Sequence, residues 1–179
     1  SRPLINASSS NGNETPAVLE RGDGGDIVES KSLVDAYEVV RLPSRFGLQL
    51  HDVAVNTLAE QVLQVVAIEA PVHADTVIRR LMAAYGVARA GNRIVANVEQ
   101  AIRFGSASDM FHAQNDFIYR DKTKPAKLRN RAMLELADRK LELVAPEDID
   151  LALCHVVKLG FSMQKDIAIS EALSALGFG

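Results

Sequence analysis

The residues best suited to recognise a ligand lie on one face of a predicted helix at about residues 92–104. At 100° per residue, an apolar face collects Ile94, Val98, Ala101 and Ile102. The opposite face carries amide and guanidinium groups around a small residue, namely Asn92, Arg93, Ala96, Gln100 and Arg103. Arg, Asn and Gln can each donate paired hydrogen bonds to base edges, and a small residue permits close approach to a groove. This pattern predicts contact with DNA; an ordinary polar helix face is the alternative interpretation.

Basic residues are concentrated around and after this helix. Nine basic and four acidic residues lie between Arg89 and Arg131, a net charge of +5 in a chain whose total is −3. Such asymmetry favours a local surface that meets an anionic partner, although a solvated charged face has the same composition. We expect contacts to about 4–6 phosphates, more than base readout. The predicted DNA-binding residues are Arg89, Asn92, Arg93, Asn97, Gln100, Arg103, Lys122, Lys124, Lys127, Arg129 and Arg131.

Other kinds of site find little support in the sequence. The four histidines are far apart and lack the spacing of metal ligands, so His73 is expected to cap or pack at a helix start. Cys154, the single cysteine, is expected to be buried on the apolar side of its helix. No glycine-rich phosphate loop ends in Lys-Ser/Thr, and no catalytic signature stands out. We therefore expect a non-catalytic protein with no cofactor and no catalytic or metal-ligating residues.

The elements that must position the polar face follow a definite order. Apolar periodicity predicts a helix at about 53–68, a short extended segment at Val72-His73, and a helix that Asp75 opens and Gly86 caps. The third helix, at 92–104, ends before Gly105. Two β-prone runs at 110–112 and 117–119 then flank a turn at 113–116. This order is typical of a winged helix-turn-helix domain, although many small α+β domains share parts of it. The predicted fold class is α+β and mainly helical.

The composition divides the chain into three parts. Residues 1–35 are rich in Ser, Asn, Gly and acids, and indicate a flexible leader or linker. Residues 36–131 are predicted to form the winged-helix domain, with an N-terminal arm and a basic C-terminal segment. Residues 132–179 are interpreted as a second, incomplete helical unit: a helix at 132–141, a short strand at 140–144, and a helix that Pro146 starts.

The chain resembles itself at a constant offset of 91 residues. Without a gap, Val65-Val66 matches Val156-Val157, and Asp75 matches Asp166. Ile78, Ala84 and Gly86 likewise match Ile169, Ala175 and Gly177. Both copies predict helix, break, helix and a glycine cap, so we expect a partial second helix-turn-helix of like geometry, superposable on the first about 91 positions apart. Chance alignment of two amphipathic helix pairs is the alternative.

Composition also limits the cellular setting. No apolar run approaches the ~20 residues of a membrane span, and no secretion signal is visible. A single cysteine excludes an internal disulfide framework. These features favour a cytoplasmic protein without a membrane partner.

Several motifs carry a resemblance to a known family. The run Glu69-Ala70-Pro71-Val72-His73, the pair Arg79-Arg80, Gly86, and the run 89–94 follow in order. Further on come Arg129-Asn130-Arg131, the run 143–149, and Ala175-Leu176-Gly177-Phe178. Over roughly residues 55–179 the sequence resembles the domain-of-unknown-function family numbered 3320. Asp148 stands where the family pattern has glutamate.

This resemblance implies a biological context. The family lies at the C-terminal end of large bacterial proteins with superfamily 1 helicase modules, often after a Vsr-like endonuclease region. It implies an accessory domain of a DNA-processing or defence enzyme. Together with the polar face of the third helix, it favours a non-catalytic nucleic-acid-binding module, with DNA (duplex more than single-stranded) and the helicase or nuclease domains of the same full-length protein as partners. The alternative is a protein–protein docking module that packs on the motor or nuclease part of its own chain.

Overall fold

Five α-helices and five short β-strands make up the part of the chain that the computed structural model describes, residues 34–121, 127–160 and 162–179. The fold class is α+β and mainly helical, as predicted. In chain order the elements are β1 Val34–Ala36, a 3-10 turn Leu50–Asp52, α1 Val55–Glu69, β2 Val72–His73, α2 Ala74–Tyr85, α3 Asn92–Ala107, β3 His112–Gln114, β4 Phe117–Tyr119, β5 Leu128–Asn130, a 3-10 turn Leu141–Leu143, α4 Pro146–Gly160 and α5 Lys165–Leu176.

The strands β2, β3 and β4 occur where the predicted element order has them and form a three-stranded antiparallel sheet. Its strands lie in the order β2-β4-β3, with Val72 opposite Ile118. The hairpin turn has only two residues, Asn115 and Asp116, instead of the predicted four, and Asn115 takes a positive φ of 52°. Asparagine tolerates that conformation because its short side chain can bond locally. His73 caps α2 by accepting a hydrogen bond at Nδ1 from the Asp75 N–H, 3.1 Å away, which confirms its predicted capping role.

The three helices α1–α3 bury one hydrophobic core. The ridge of Leu58, Val62 and Val66 on α1 is fully buried, and α1 packs mainly against α3. Eight apolar residues at helical spacing on the three helices lie in one buried cluster: Leu58, Val62, Val66, Ile78, Leu81, Met82, Val98 and Ile102.

The third helix is longer than predicted. It continues through Gly105 to Ala107 instead of ending at Phe104. A Cβ at residue 105 would lie 2.3 Å from the ring of Phe111, so glycine is required there for close packing. The sequence signal was interpreted as a stop, but the glycine serves a tertiary contact.

A second hydrophobic cluster forms around α4 and α5. It includes Leu128 of β5, and Val34 of β1 packs against it. The strands β1 and β5 pair in parallel. Residues 32–179 group into one compact unit that holds both clusters. The predicted domain boundary after residue 131 stays a prediction. The predicted leader lies almost wholly outside the described residues.

The helix bounds follow the 91-residue offset, while the like geometry of the two helix pairs stays a prediction. Val55–Glu69 and Ala74–Tyr85 shift by 91 positions onto Pro146–Gly160 and Lys165–Leu176. Gly86 and Gly177 close the two second helices with φ of 67° and 91°. The packing differs, because α4 packs mainly on α5 whereas α1 packs mainly on α3. The two pairs thus share a local pattern and have different partners.

Three predictions for the second half are wrong. Residues 132–139 form turns instead of a helix, and Leu141–Leu143 is a 3-10 turn instead of a strand. Ion pairs from Asp138 to α2, described below, fix the 132–139 segment against its helical tendency. Cys154 is exposed, because the buried face of α4 carries Asp148, Ala152 and Val156 at i, i+4 and i+8.

Leu81→Ala tests the shared core of α1–α3. Leu81 is fully buried on α2, so the substitution should lower the free energy of unfolding by ~2–5 kcal/mol in chemical denaturation. Leu159→Ala, at a position that is 69% exposed, is the matched control and should cost less than about 0.5 kcal/mol. Similar losses from the two variants would contradict an inward-facing α2.

Candidate nucleic-acid interface

The outer face of α3 is exposed as the periodicity predicts. Asn92, Arg93, Gln100 and Arg103 are all solvent-exposed, and so is Arg89 just before the helix. Arg93 is 76% exposed with a nitrogen 3.3 Å from an Asp52 oxygen. Arg103 is 70% exposed and 3.8 Å from Glu99 one turn earlier. Exposed pairs of this kind are worth at most about 1 kcal/mol, so both guanidinium groups can turn toward an anionic ligand.

Asn97 does not belong to this exposed face. Its amide nitrogen donates to the backbone oxygens of Leu50 and Val53, at 3.2 Å and 3.1 Å. These bonds attach the 3-10 turn before α1 to the middle of α3. The predicted DNA contact of Asn97 is therefore replaced by a structural role.

A groove runs between the C-terminal half of α3 and the β3–β4 turn. It has a volume of about 640 Å³, and its lining includes Glu99, Arg103, Asn115 and Asp116. Two carboxylates against one guanidinium disfavour a phosphate inside this groove. The positive part of the candidate interface is thus the helix face itself, together with Arg89 before it.

The basic segment after the hairpin contributes less positive surface than the sequence indicates. Lys122 and Lys124 lie outside the described residues. Lys127 is exposed but its ammonium lies 2.7 Å from a carboxylate oxygen of Asp35 on the neighbouring strand. This pair bridges β5 and β1.

Arg129 and Arg131 are structural residues, which corrects their assignment to DNA. Both guanidinium groups bond to Asp148 of α4, whose side chain is fully buried. Arg131 is only 3% exposed and also donates to the Arg129 carbonyl. Arg129 donates to three consecutive backbone oxygens, those of Glu69, Ala70 and Pro71, at 2.6–3.1 Å. The side chains lie inside because they satisfy these acceptors, and they cannot reach a phosphate.

A second buried carboxylate lies close by at the end of α1. Glu69 is fully buried, and its two oxygens accept bonds from Arg80 at 2.8 Å and 3.1 Å. It also accepts from the Tyr37 hydroxyl and the Val40 N–H, each at 3.0 Å. This carboxylate thereby connects the N-terminal arm to α1 and α2. Four acceptor bonds offset the loss of hydration that burial imposes on the charge.

Arg80 also pairs with Asp138, and Arg79 donates to the same carboxylate at 2.6 Å. Burial raises the pKa of Asp138, but the hydrogen bonds and charges of Arg80 and Arg79 exceed that effect and hold it below the ordinary aspartate value. Burial likewise disfavours charge on Arg80, and bonds to Glu69 and Asp138 outweigh it and raise its pKa. The 132–139 segment is thereby held against α2.

Tyr37 connects the Glu69 carboxylate to the arginine pair Arg129 and Arg131. Its ring lies 5.0 Å from the guanidinium carbons of both Arg129 and Arg131, while its hydroxyl bonds to Glu69. Burial and the neighbouring Glu69 charge raise its pKa well above the ordinary tyrosine value, so the hydroxyl stays a donor. We call the set Tyr37, Glu69, Arg79, Arg80, Arg129, Arg131, Asp138 and Asp148 the buried ion cluster.

One family model matches part of the chain. Residues 49–96 match the family described as protein of unknown function (DUF3320). The match spans α1, β2, α2 and the first turn of α3, so it contains Glu69, His73, Arg79 and Arg80. No curated protein and no solved structure matches the chain significantly.

Four motifs of the DUF3320 resemblance contribute residues to the buried ion cluster. Glu69 begins the first motif, Arg79-Arg80 is the second, and Arg129 and Arg131 form a later one. Asp148 lies in the run 143–149 and bonds to that arginine pair. The charged residues in these ordered motifs were thus a sequence signal for the cluster, but only Arg129 and Arg131 among them were assigned a role, as DNA contacts.

Two kinds of feature are absent from the part of the chain that the structure describes. No helix there is both long and apolar enough to cross a membrane. In the same ranges, no three His, Cys, Asp or Glu side chains are grouped to hold a metal ion.

Asp148→Asn tests the cluster directly. The variant removes the charge that Arg129 and Arg131 share and leaves two buried guanidinium groups without it, so unfolding free energy should fall by ~3–5 kcal/mol. Asp150→Asn makes the same chemical change at an exposed position of α4 and should have little effect. Chemical denaturation of both variants measures the difference, and equal stabilities would rule out a stabilising role for the Asp148 charge.

Asp138→Asn tests the attachment of the 132–139 segment through pH. The folded-state pKa of Asp138 lies below its unfolded value of about 3.9, so the ionised carboxylate stabilises the protein above that value. Its contribution is lost as pH falls below about 4. The variant should be less stable than the parent at pH 7, and the gap should narrow in acid. A gap that stays constant from pH 7 to pH 3, measured by urea denaturation, would contradict the ion pairs.

Proposed function

We propose that residues 50–121 form a winged helix-turn-helix that binds duplex DNA through the exposed face of α3. The observation that carries the proposal is the combination of element order with that face. The elements α1, β2, α2, α3 and the β3–β4 hairpin follow one another along the chain, and β2 pairs with β4. In DNA-binding domains of this kind the third helix enters the major groove and the hairpin lies along the backbone.

The exposed guanidinium and amide groups of α3 support this proposal. Arg93 and Arg103 offer charge, while Asn92 and Gln100 offer amides that can pair with base edges. Exposed Ala96 lies among them and leaves room for close approach. The apolar side of the same helix is committed to the core, so the polar side is the part that remains for a ligand.

The buried cations lower the expected electrostatic contribution. Arg129 and Arg131 are neutralised inside, which leaves four exposed arginines of the described basic region: Arg89, Arg93, Arg103 and Arg120. With about 3–4 phosphates neutralised, the log–log slope of affinity against salt should be roughly −3, shallower than the −4 to −5 that follows from the sequence.

The wider context is part of the same proposal. The DUF3320 match at 49–96, with the resemblance in the later motifs, supports an accessory module that acts in the cytoplasm beside helicase or nuclease domains of a larger protein. In that setting the module would hold DNA and leave the chemistry to its neighbours. Contacts to phosphates, more than base readout, suit such a role because they carry no sequence requirement.

The test is DNA binding by an Arg93→Glu/Arg103→Glu variant. Fluorescence anisotropy with a labelled duplex at two salt concentrations should show affinity reduced by ~1–3 kcal/mol per lost contact. Thermal melting should show little change, because both side chains are exposed.

A Lys158→Glu/Lys165→Glu variant is the matched control, since it changes the net charge by the same amount on exposed residues of α4 and α5. This control should bind like the parent. If both double variants lost DNA affinity equally, net charge alone would explain the loss, and α3 would be excluded as the contact surface. No binding by the parent at low salt would contradict the proposal as a whole.

A further inference from the structure

Arg93, in the first turn of α3, is paired with an acid from a distant part of the chain. Its Nη2 donates a hydrogen bond to Asp52 Oδ1, 3.3 Å away, and the two residues are 41 positions apart. The same Asp52 oxygen lies 3.5 Å from Nε2 of His51. Arg93 is 76% and Asp52 is 62% exposed, so a carboxylate stands in solvent beside one of the guanidinium groups on the proposed DNA-binding face.

The backbone that carries Asp52 is fixed against α3. Leu50, which begins this 3-10 turn, is buried in the core of α1–α3. Asn97 of α3 donates to the carbonyl oxygens of Leu50 and Val53, so the chain is held on both sides of Asp52. The Asp52 N–H itself donates to the Gln49 oxygen at 3.0 Å. Because an aspartate side chain is short, these contacts keep its carboxylate near Arg93.

Arg103 has a looser acidic neighbour. Its Nη1 lies 3.8 Å from a Glu99 oxygen, one turn earlier on the same helix. Both side chains are long and exposed, so each can turn away at little cost. The Arg93 pair differs, because the tertiary structure and not the helix itself brings Asp52 to it.

We infer that Asp52 lowers the affinity of the α3 face for DNA, because its carboxylate competes with a phosphate for the Arg93 guanidinium. This inference rests on the proposed DNA binding and concerns the regulation of that same site. A guanidinium makes its strongest hydrogen bonds to carboxylate and to phosphate oxygens alike, so one anion can replace the other. Since an exposed ion pair is weak, Asp52 reduces DNA binding without blocking it.

Asp52→Asn is the test, because it removes the charge and keeps the size of the side chain. Fluorescence anisotropy with a labelled duplex should show binding about three- to fivefold tighter than that of the parent at about 50 mM salt. The log–log slope of affinity against salt should become steeper by about one, since Arg93 is then free to neutralise a further phosphate. The gain should therefore almost vanish at about 200 mM salt.

Asp150→Asn is the matched control. Asp150 is exposed on α4, and this variant changes the net charge by the same amount. It should bind DNA within about twofold of the parent. Thermal melts of both variants should match the parent, because both side chains are exposed.

A carboxylate also repels DNA directly, and an Arg93→Ala background separates that effect from competition. If Asp52 acts through Arg93, the gain from Asp52→Asn requires the guanidinium. Asp52→Asn should then tighten binding by less than about twofold in the Arg93→Ala protein, measured at low salt.

The outcomes distinguish this inference from the proposed function. No binding by the parent at low salt overturns both. Binding by the parent that Asp52→Asn leaves unchanged overturns the inference alone, and so does an equal gain from Asp150→Asn or in the Arg93→Ala background. Weaker binding by Asp52→Asn would make Asp52 a DNA contact, as when a carboxylate accepts from the cytosine amino group, and would also overturn the inference.

Discussion

Buried carboxylates that meet arginines from distant parts of the chain hold this molecule together. Glu69 ends α1 and accepts from Arg80, while Asp148 starts α4 and accepts from Arg129 and Arg131. Arg129 also donates to the backbone oxygen of Glu69, so the two carboxylates share a connection. A buried charge without its partner costs several kcal/mol, so each group requires the others to be in position. The two hydrophobic clusters alone would carry no such requirement for a particular relative placement.

This constraint explains local features that helix propensity does not. The 132–139 segment forms turns because Asp138 must reach both Arg79 and Arg80 on α2. The chain then passes so close to the end of α5 that a Cβ at residue 177 would lie 2.3 Å from the Ala132 nitrogen. Gly177 also takes a φ of 91°, which favours glycine independently. The Gly177 cap, the turns at 132–139 and the ion pairs of Asp138 therefore depend on one another.

Because Arg129 and Arg131 are buried, only part of the positive charge in the basic region is available to a ligand. A count over residues 89–131 treats every cation as a candidate for phosphate, but Arg129 and Arg131 are used inside the protein. Among the described cations of that region, the exposed Arg89, Arg93 and Arg103 lie on and beside α3, on the side opposite its buried apolar face.

The sequence by itself determined the helices of the first half, their core face and the repeat. These follow from apolar spacing and glycine caps, which act over a few residues: Val62 and Val66 had to face inward, and Gly86 had to end α2. The exposed α3 face, with Arg93 and Arg103, was predictable for the same reason. Only the tertiary structure decided that Arg129 and Arg131 point inside, that Asn97 holds the turn at 50–52, and that α3 continues past Gly105 under the ring of Phe111. Each depends on a partner more than five residues away, and a charge carries no periodic signal that shows whether its partner is water or a buried carboxylate.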